Sequence, residues 1–158
     1  MRLLHLRKKW VAATVGVVAV VGTFAAVAFG SGLVFTSKTL VDANLDNKVQ
    51  LNSDRIKFQT KDPTVVRVAA VSFLAGDTSG WHHHPGFVIV AVTTGSVTVW
   101  KADCSQTTYG TGSAFVESGD DPGQVTSAHG ATTYATYVVP NVDPLLFKIP
   151  DAAPACAG

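Results

Sequence analysis

The chain has 158 residues, 47% of them hydrophobic and 15% charged, which is room for one domain of ordinary size and an appendage. Four of its 12 Lys and Arg fall within the first nine positions, so the part after residue 30 carries 8 basic against 11 acidic residues, a formal charge of −3. That mildly acidic part, with no cluster of Lys or Arg, lacks a surface that tracks phosphates, and nucleic acid is not an expected partner.

Arg2, Arg7, Lys8 and Lys9 precede an uncharged run at 10–29 that is rich in Ala and Val. Twenty residues of helix span about 30 Å, the thickness of a bilayer's hydrocarbon. Basic residues before such a run fit either a cleaved signal peptide or a retained anchor, and both send the remainder outside the cell membrane. Ala26-Val27-Ala28 is a small-x-small cleavage candidate. The run exceeds the roughly 7–15 apolar residues usual in a signal peptide, which favours an anchor. Residues 1–30 are therefore read as a basic N-terminus with its membrane segment, and 31–54 as a tether and leading segment.

Residues 55–60 alternate and predict a strand with Ile56 and Phe58 facing inward, closed by a turn at 61–64. Residues 65–73 predict a second strand and 75–80 a loop. A long strand is expected over 81–92, broken near Pro85-Gly86, with a hairpin turn at 93–96 leading into 97–100. Shorter strands are expected at 107–109, 114–117, 124–128, 134–139 and 145–149, with a tail at 151–158. Short strands between turn signals, without helical periodicity after residue 30, predict an all-β sandwich or barrel over 55–150. Cys104 and Cys156 are the only cysteines, and an even count in an exported domain predicts a disulfide between them.

The chemistry concentrates in Gly80-Trp81-His82-His83-His84-Pro85-Gly86. In extended chain the period of two sends His82 and His84 to one face and His83 to the other. Two imidazoles on one face form half of a mononuclear metal site. His83 is then expected at the surface, or supporting the site without binding the ion. Trp81 is expected at the barrel rim, and Trp100, Phe87 and Tyr137 in the core.

Gly76, five residues, His82-His83-His84, three residues, Val88, six residues and Gly95 resemble the first motif of the cupins, in which Val88 occupies the position of a glutamate. The resemblance covers roughly residues 55–150. It implies a jelly-roll barrel with a divalent metal on its inner face, His82 and His84 as ligands, and a small-molecule pocket. The second cupin motif is degenerate: its histidine position falls on Gly123 or Gln124. Glu117, in phase with Phe115, could restore a carboxylate ligand, and two imidazoles with one carboxylate suit Fe(II), Mn, Ni or Zn. His129, of opposite parity to Gln124, is the only later histidine. Trp81, Val88, Val90, Phe115 and Gln124 are the expected pocket lining. With both motifs altered, a metal-free cupin that binds a small ligand is the alternative, with Val88, Val90 and Val92 lining an apolar cavity. The fold does not choose among oxygenase, isomerase and decarboxylase chemistries.

Overall fold

A computed structural model describes residues 35–155. The expected membrane segment and Cys156, hence the Cys104–Cys156 bridge, lie outside the described residues. Among the described residues no helix is long and apolar enough to cross a membrane.

Eleven strands follow in chain order: β1 (Thr36–Leu45), β2 (Gln50–Ser53), β3 (Ile56–Gln59), β4 (Thr64–Phe73), β5 (His82–His83), β6 (Phe87–Lys101), β7 (Gln106–Gly110), β8 (Ala114–Glu117), β9 (Gly123–Thr126), β10 (Ala131–Pro140) and β11 (Ile149–Pro150). Every pairing between them is antiparallel. Two sheets share the long strand β6. Its first half pairs with β10 and β8, in a sheet ordered β1-β4-β10-β6-β8. Its second half pairs with β7 and β9, and β9 continues through β5 to β11. The result is an all-β curled sandwich consistent with a jelly roll.

The passage of β6 from one sheet to the other replaces the hairpin turn expected at 93–96. Pairing with β10 jumps from Thr94 opposite Thr132 to Val92 opposite Thr133, so one extra residue bulges out around Thr93. Thr93 Oγ1 donates to the Thr132 carbonyl at 2.9 Å, which holds the bulge against β10. The extra residue flips the alternation. Val88, Val90 and Val92 are buried before it and Val97 after it, so even positions face inward in one half and odd positions in the other. A phase break beside Thr93-Thr94-Gly95-Ser96 imitates a chain reversal in sequence, but here it bends a continuous strand.

Val65, Ala69, Val71 and Phe73 on β4, Ala131, Ala135, Val138 and Val139 on β10, Phe115 on β8 and Val125 on β9 complete the buried core. Arg67 shares the inward phase of β4, and its charge is met by Asp42 on β1, with Nε and Nη2 donating to the two carboxylate oxygens at 2.7 and 2.6 Å. This pair holds the Asp42 carboxyl below its ordinary value.

Three expectations differ at the ends of the domain. The sheet includes β1, upstream of the boundary expected at 55, and β1 pairs with β4 along its length around an irregularity near Leu40. Ile56 is 68% exposed, because β2 and β3 form a separate two-stranded hairpin outside the sandwich. Phe58 makes the inward contact expected of it, edge-on to Phe87 at 6.3 Å. The last strand shrinks from 145–149 to Ile149–Pro150, and Leu145 and Leu146 are exposed.

Gly95 sits at the bend with φ of 72°, and a Cβ there would overlap the carbonyl oxygen of Gly130. Gly95→Ala combines a left-handed backbone penalty with a backbone clash and should cost about 2–4 kcal/mol, read as a lower urea midpoint with an unchanged slope. An unchanged midpoint would mean that the bend does not constrain the fold.

Candidate metal centre

The site stands where the two sheets meet. His82 is on β5, paired with Gly123 of β9 and Pro150 of β11, and His84 follows in the connection to β6. Glu117 ends β8 on the other sheet, directly opposite Val88 of β6. Close packing sets their separation: a Cβ on Gly119, just past Glu117, would lie 2.9 Å from the His84 carbonyl oxygen and 2.7 Å from that of Gly86. Only a glycine lets the β8–β9 turn approach the His84 backbone so closely.

Ligand atoms of His82, His84 and Glu117 lie within 4.8 Å of one another. The imidazole rings stand edge to face, with centroids 4.8 Å apart and planes at 89°. Backbone carbonyls orient both. His82 Nδ1 donates to the Gly80 carbonyl at 2.8 Å, and His84 Nδ1 to the Phe147 carbonyl at 2.5 Å. A carbonyl only accepts, so each Nδ1 carries hydrogen, and in the neutral ring Nε2 is the nitrogen left with a lone pair, the arrangement usual for metal-binding histidines.

His84 is 3% exposed and its Nε2 is buried without a hydrogen-bond partner. Glu117 Oε2 lies 3.4 Å from it. With Nδ1 committed to Phe147, two electron-pair donors face each other in the interior, a costly arrangement without a proton or cation between them. Metal bonds of about 2.0–2.2 Å place two ligand atoms at most about 4.4 Å apart. Three ligands in a tetrahedral or facial set lie closer still, roughly 3–3.6 Å apart, so the three side chains can hold one ion after closing by about an ångström.

Phe147 secures this geometry from outside. Arg67 stacks its guanidinium over the Phe147 ring at 3.6 Å, and Tyr137 meets that ring edge-on at 5.9 Å. Tyr137 also contacts His84 edge-on at 5.6 Å, and its hydroxyl pKa is raised by burial and by the Glu117 carboxylate.

A cavity of about 50 Å³ opens on one side of the triad, lined by Phe35, Val71, Phe73, Val90, Phe115 and Tyr137 among others. Lys148 lines it as well, and its Nζ donates to the Ser79 carbonyl. A second cavity, of about 40 Å³, lies on the outer side, between the histidines and the Trp100, Asp121 and Pro122 rim.

The expected lining residues divide accordingly. Val90 and Phe115 form part of the inner wall. Val88 is fully buried in the core opposite Glu117, outside that wall, and Val92 is likewise core. Gln124 is withdrawn because its Nε2 donates to Thr78 Oγ1 at 2.6 Å. Trp81 lies outside both cavities, its carbonyl accepting from the Asp151 amide at 3.0 Å. His83 points away from the triad and pairs with Asp151 at 2.7 Å. His129 is exposed in the β9–β10 turn. Trp100 is only half-buried, with Nε1 donating to Thr126 Oγ1 at 3.0 Å.

Sequence reasoning missed Lys148, the Phe147 carbonyl and the placement of Tyr137 beside the triad. Lys148 is the only charged residue between 144 and 150, the one signal that could have singled it out.

No family model and no curated protein matches the chain. Among solved structures, it overlays an RmlC-like cupin from Desulfovibrio desulfuricans with 15% identity and a TM-score of 0.49, covering 68% of this chain and 83% of that one. An uncharacterised protein from Streptococcus pyogenes shares 18% identity at a TM-score of 0.48, over 68% and 75% of the two chains. A cupin superfamily protein from Desulfitobacterium hafniense shares 8% at 0.45, over 65% and 81%. All three are likenesses of shape at low identity.

Burial holds the His82 imidazole below its ordinary value of 6.5, against the opposing pull of the Gly80 carbonyl and the Glu117 charge. Above about pH 6.5 His82 is neutral in the folded and unfolded chain alike; below it the unfolded chain takes up the proton first, so stability falls with pH until the folded pKa is passed. In chelator-stripped protein the urea midpoint should drop between about pH 7.5 and 5.5, and His82→Gln should flatten that dependence. An equally steep dependence in the variant would assign it elsewhere.

Proposed function

We propose that the chain is an exported cupin-type domain whose His82, His84 and Glu117 bind one divalent ion, Mn, Fe, Ni or Zn, beside a cavity for a small molecule. The observation that carries this reading is the buried His84 Nε2, unpartnered and aimed at a carboxylate 3.4 Å away. The His-x-His spacing before a predicted strand supports it independently. Export rests on the basic residues ahead of the uncharged run at 10–29, with membrane attachment through that run or secretion after its cleavage.

A bound divalent ion would supply Lewis acidity to a ligand in the cavity. The chain's own residues do the remainder. The Gly80 and Phe147 carbonyls keep the imidazoles in the donating tautomer, and among the described residues Glu117 offers the only carboxylate lining the cavity. Phe35, Phe73 and Phe115 make the wall mostly apolar, which limits the water near the triad. A metal-free ligand-binding module is the second reading, favoured by that apolar wall and by Val88 in the position of the cupin glutamate.

Metal content of the full chain, purified in detergent and measured by mass spectrometry, should be one ion per chain. Groups that only orient a ligand cost about 10–100-fold in affinity when lost, and His82→Ala, His84→Ala and Glu117→Ala should each exceed that. A wild type that holds no metal and refuses all four ions would leave the second reading standing. Unchanged affinity in Glu117→Ala would remove the carboxylate from the ligand set.

A further inference from the structure

We propose that the inner cavity takes a small anion, the size of a short carboxylate, with its charged end held between the ion and the Lys148 ammonium. This rests on the metal reading above and adds the class of molecule that occupies the site.

Charge makes the first argument. The titratable groups lining the cavity are His82, His84, Glu117, Tyr137 and Lys148. Both imidazoles are neutral when they bind a metal and Tyr137 is neutral, so one carboxylate stands against an ammonium and a divalent ion. The site then carries a net double positive charge, with the ammonium at the exposed edge and the ion against an apolar wall, where an unbalanced charge is expensive. Among the described residues Lys148 forms no ion pair with a carboxylate. An anionic ligand supplies the missing charge where the wall has none.

Geometry makes the second. Lys148 stands at the exposed edge of the cavity, with its Nζ 5.1 Å from the centre of the Phe35 ring. The Ser79 carbonyl accepts one of its three N–H groups, which fixes the side chain and leaves two donors for a ligand. The segment that carries it is clamped at Phe147 by Arg67 and Tyr137, so the ammonium is held in place before any ligand arrives.

Volume makes the third. About 50 Å³ is space for roughly four water-sized groups, at about 10–15 Å³ each. Acetate has that many heavy atoms.

The test is calorimetric titration of acetate, and of acetamide as its uncharged analogue, into the Zn-loaded full chain, with bound metal measured on the same samples. Acetate should bind and acetamide should not. Lys148→Met should keep its zinc yet weaken acetate by about tenfold or more, the loss expected for a charge-assisted hydrogen bond, while Lys148→Arg retains binding. Equal binding of acetate and acetamide, or unchanged acetate affinity in Lys148→Met, would overturn the proposal. A zinc-loaded wild type that ignores acetate overturns the anion alone. A wild type that takes up no zinc overturns the metal reading with it.

Discussion

Two electron-pair donors, His84 Nε2 and Glu117 Oε2, face each other at 3.4 Å inside the sandwich, and much of the local structure exists to hold them there. Left to itself the pair would turn outward or share a proton. It is prevented from turning by the Phe147 carbonyl, which occupies the other imidazole nitrogen, and by Gly119, which admits the Glu117 turn against the His84 backbone. Phe147 is itself pinned by Arg67, whose charge is balanced by Asp42 on the edge strand. A chain of contacts thus runs from an exposed ion pair to the buried nitrogen.

The valine in the place of a cupin-type glutamate has a structural counterpart. Val88 and Glu117 are cross-strand partners, and directly opposed residues bring their side chains to within about 4.5–5.5 Å. Glu117 thus brings a carboxylate beside Val88, one strand away. Val88 then becomes a fully buried packing residue, a role a glutamate could not fill without a partner. A motif read along a single strand registers only the valine, since the carboxylate paired with it lies 29 positions later in the chain.

Strand positions and side-chain parity were legible because both follow from alternation, a local property. The phases of His82 and His84, the burial of Val88, Val90 and Val92, and the emergence of His83 on the opposite face all came from period-two reasoning. The continuity of β6 was not legible, because a bulge and a turn leave the same trace of phase slip and small polar residues. Pairing of β1 depends on β4 being available as its neighbour, and Asp42 reads as a loop signal until Arg67 is seen opposite it. Lys148 and the Phe147 carbonyl belong to a poorly patterned segment, and a backbone carbonyl has no sequence signature at all. Trp81 and Gln124 were assigned by position in a motif, and specific hydrogen bonds took Gln124 elsewhere.

The shared strand gives the sandwich a hinge line, since among the described residues β6 is the one element bonded within both sheets. Opposite that spine, His82 belongs to one sheet and Glu117 to the other. An ion held by both would act as a rivet across the open side, fixing the angle between the sheets as a clasp fixes the covers of a book. Ion binding and closure of the sandwich would then be a single equilibrium, and the width of the cavity between the sheets would be set by the length of metal–ligand bonds as much as by the packing of valines.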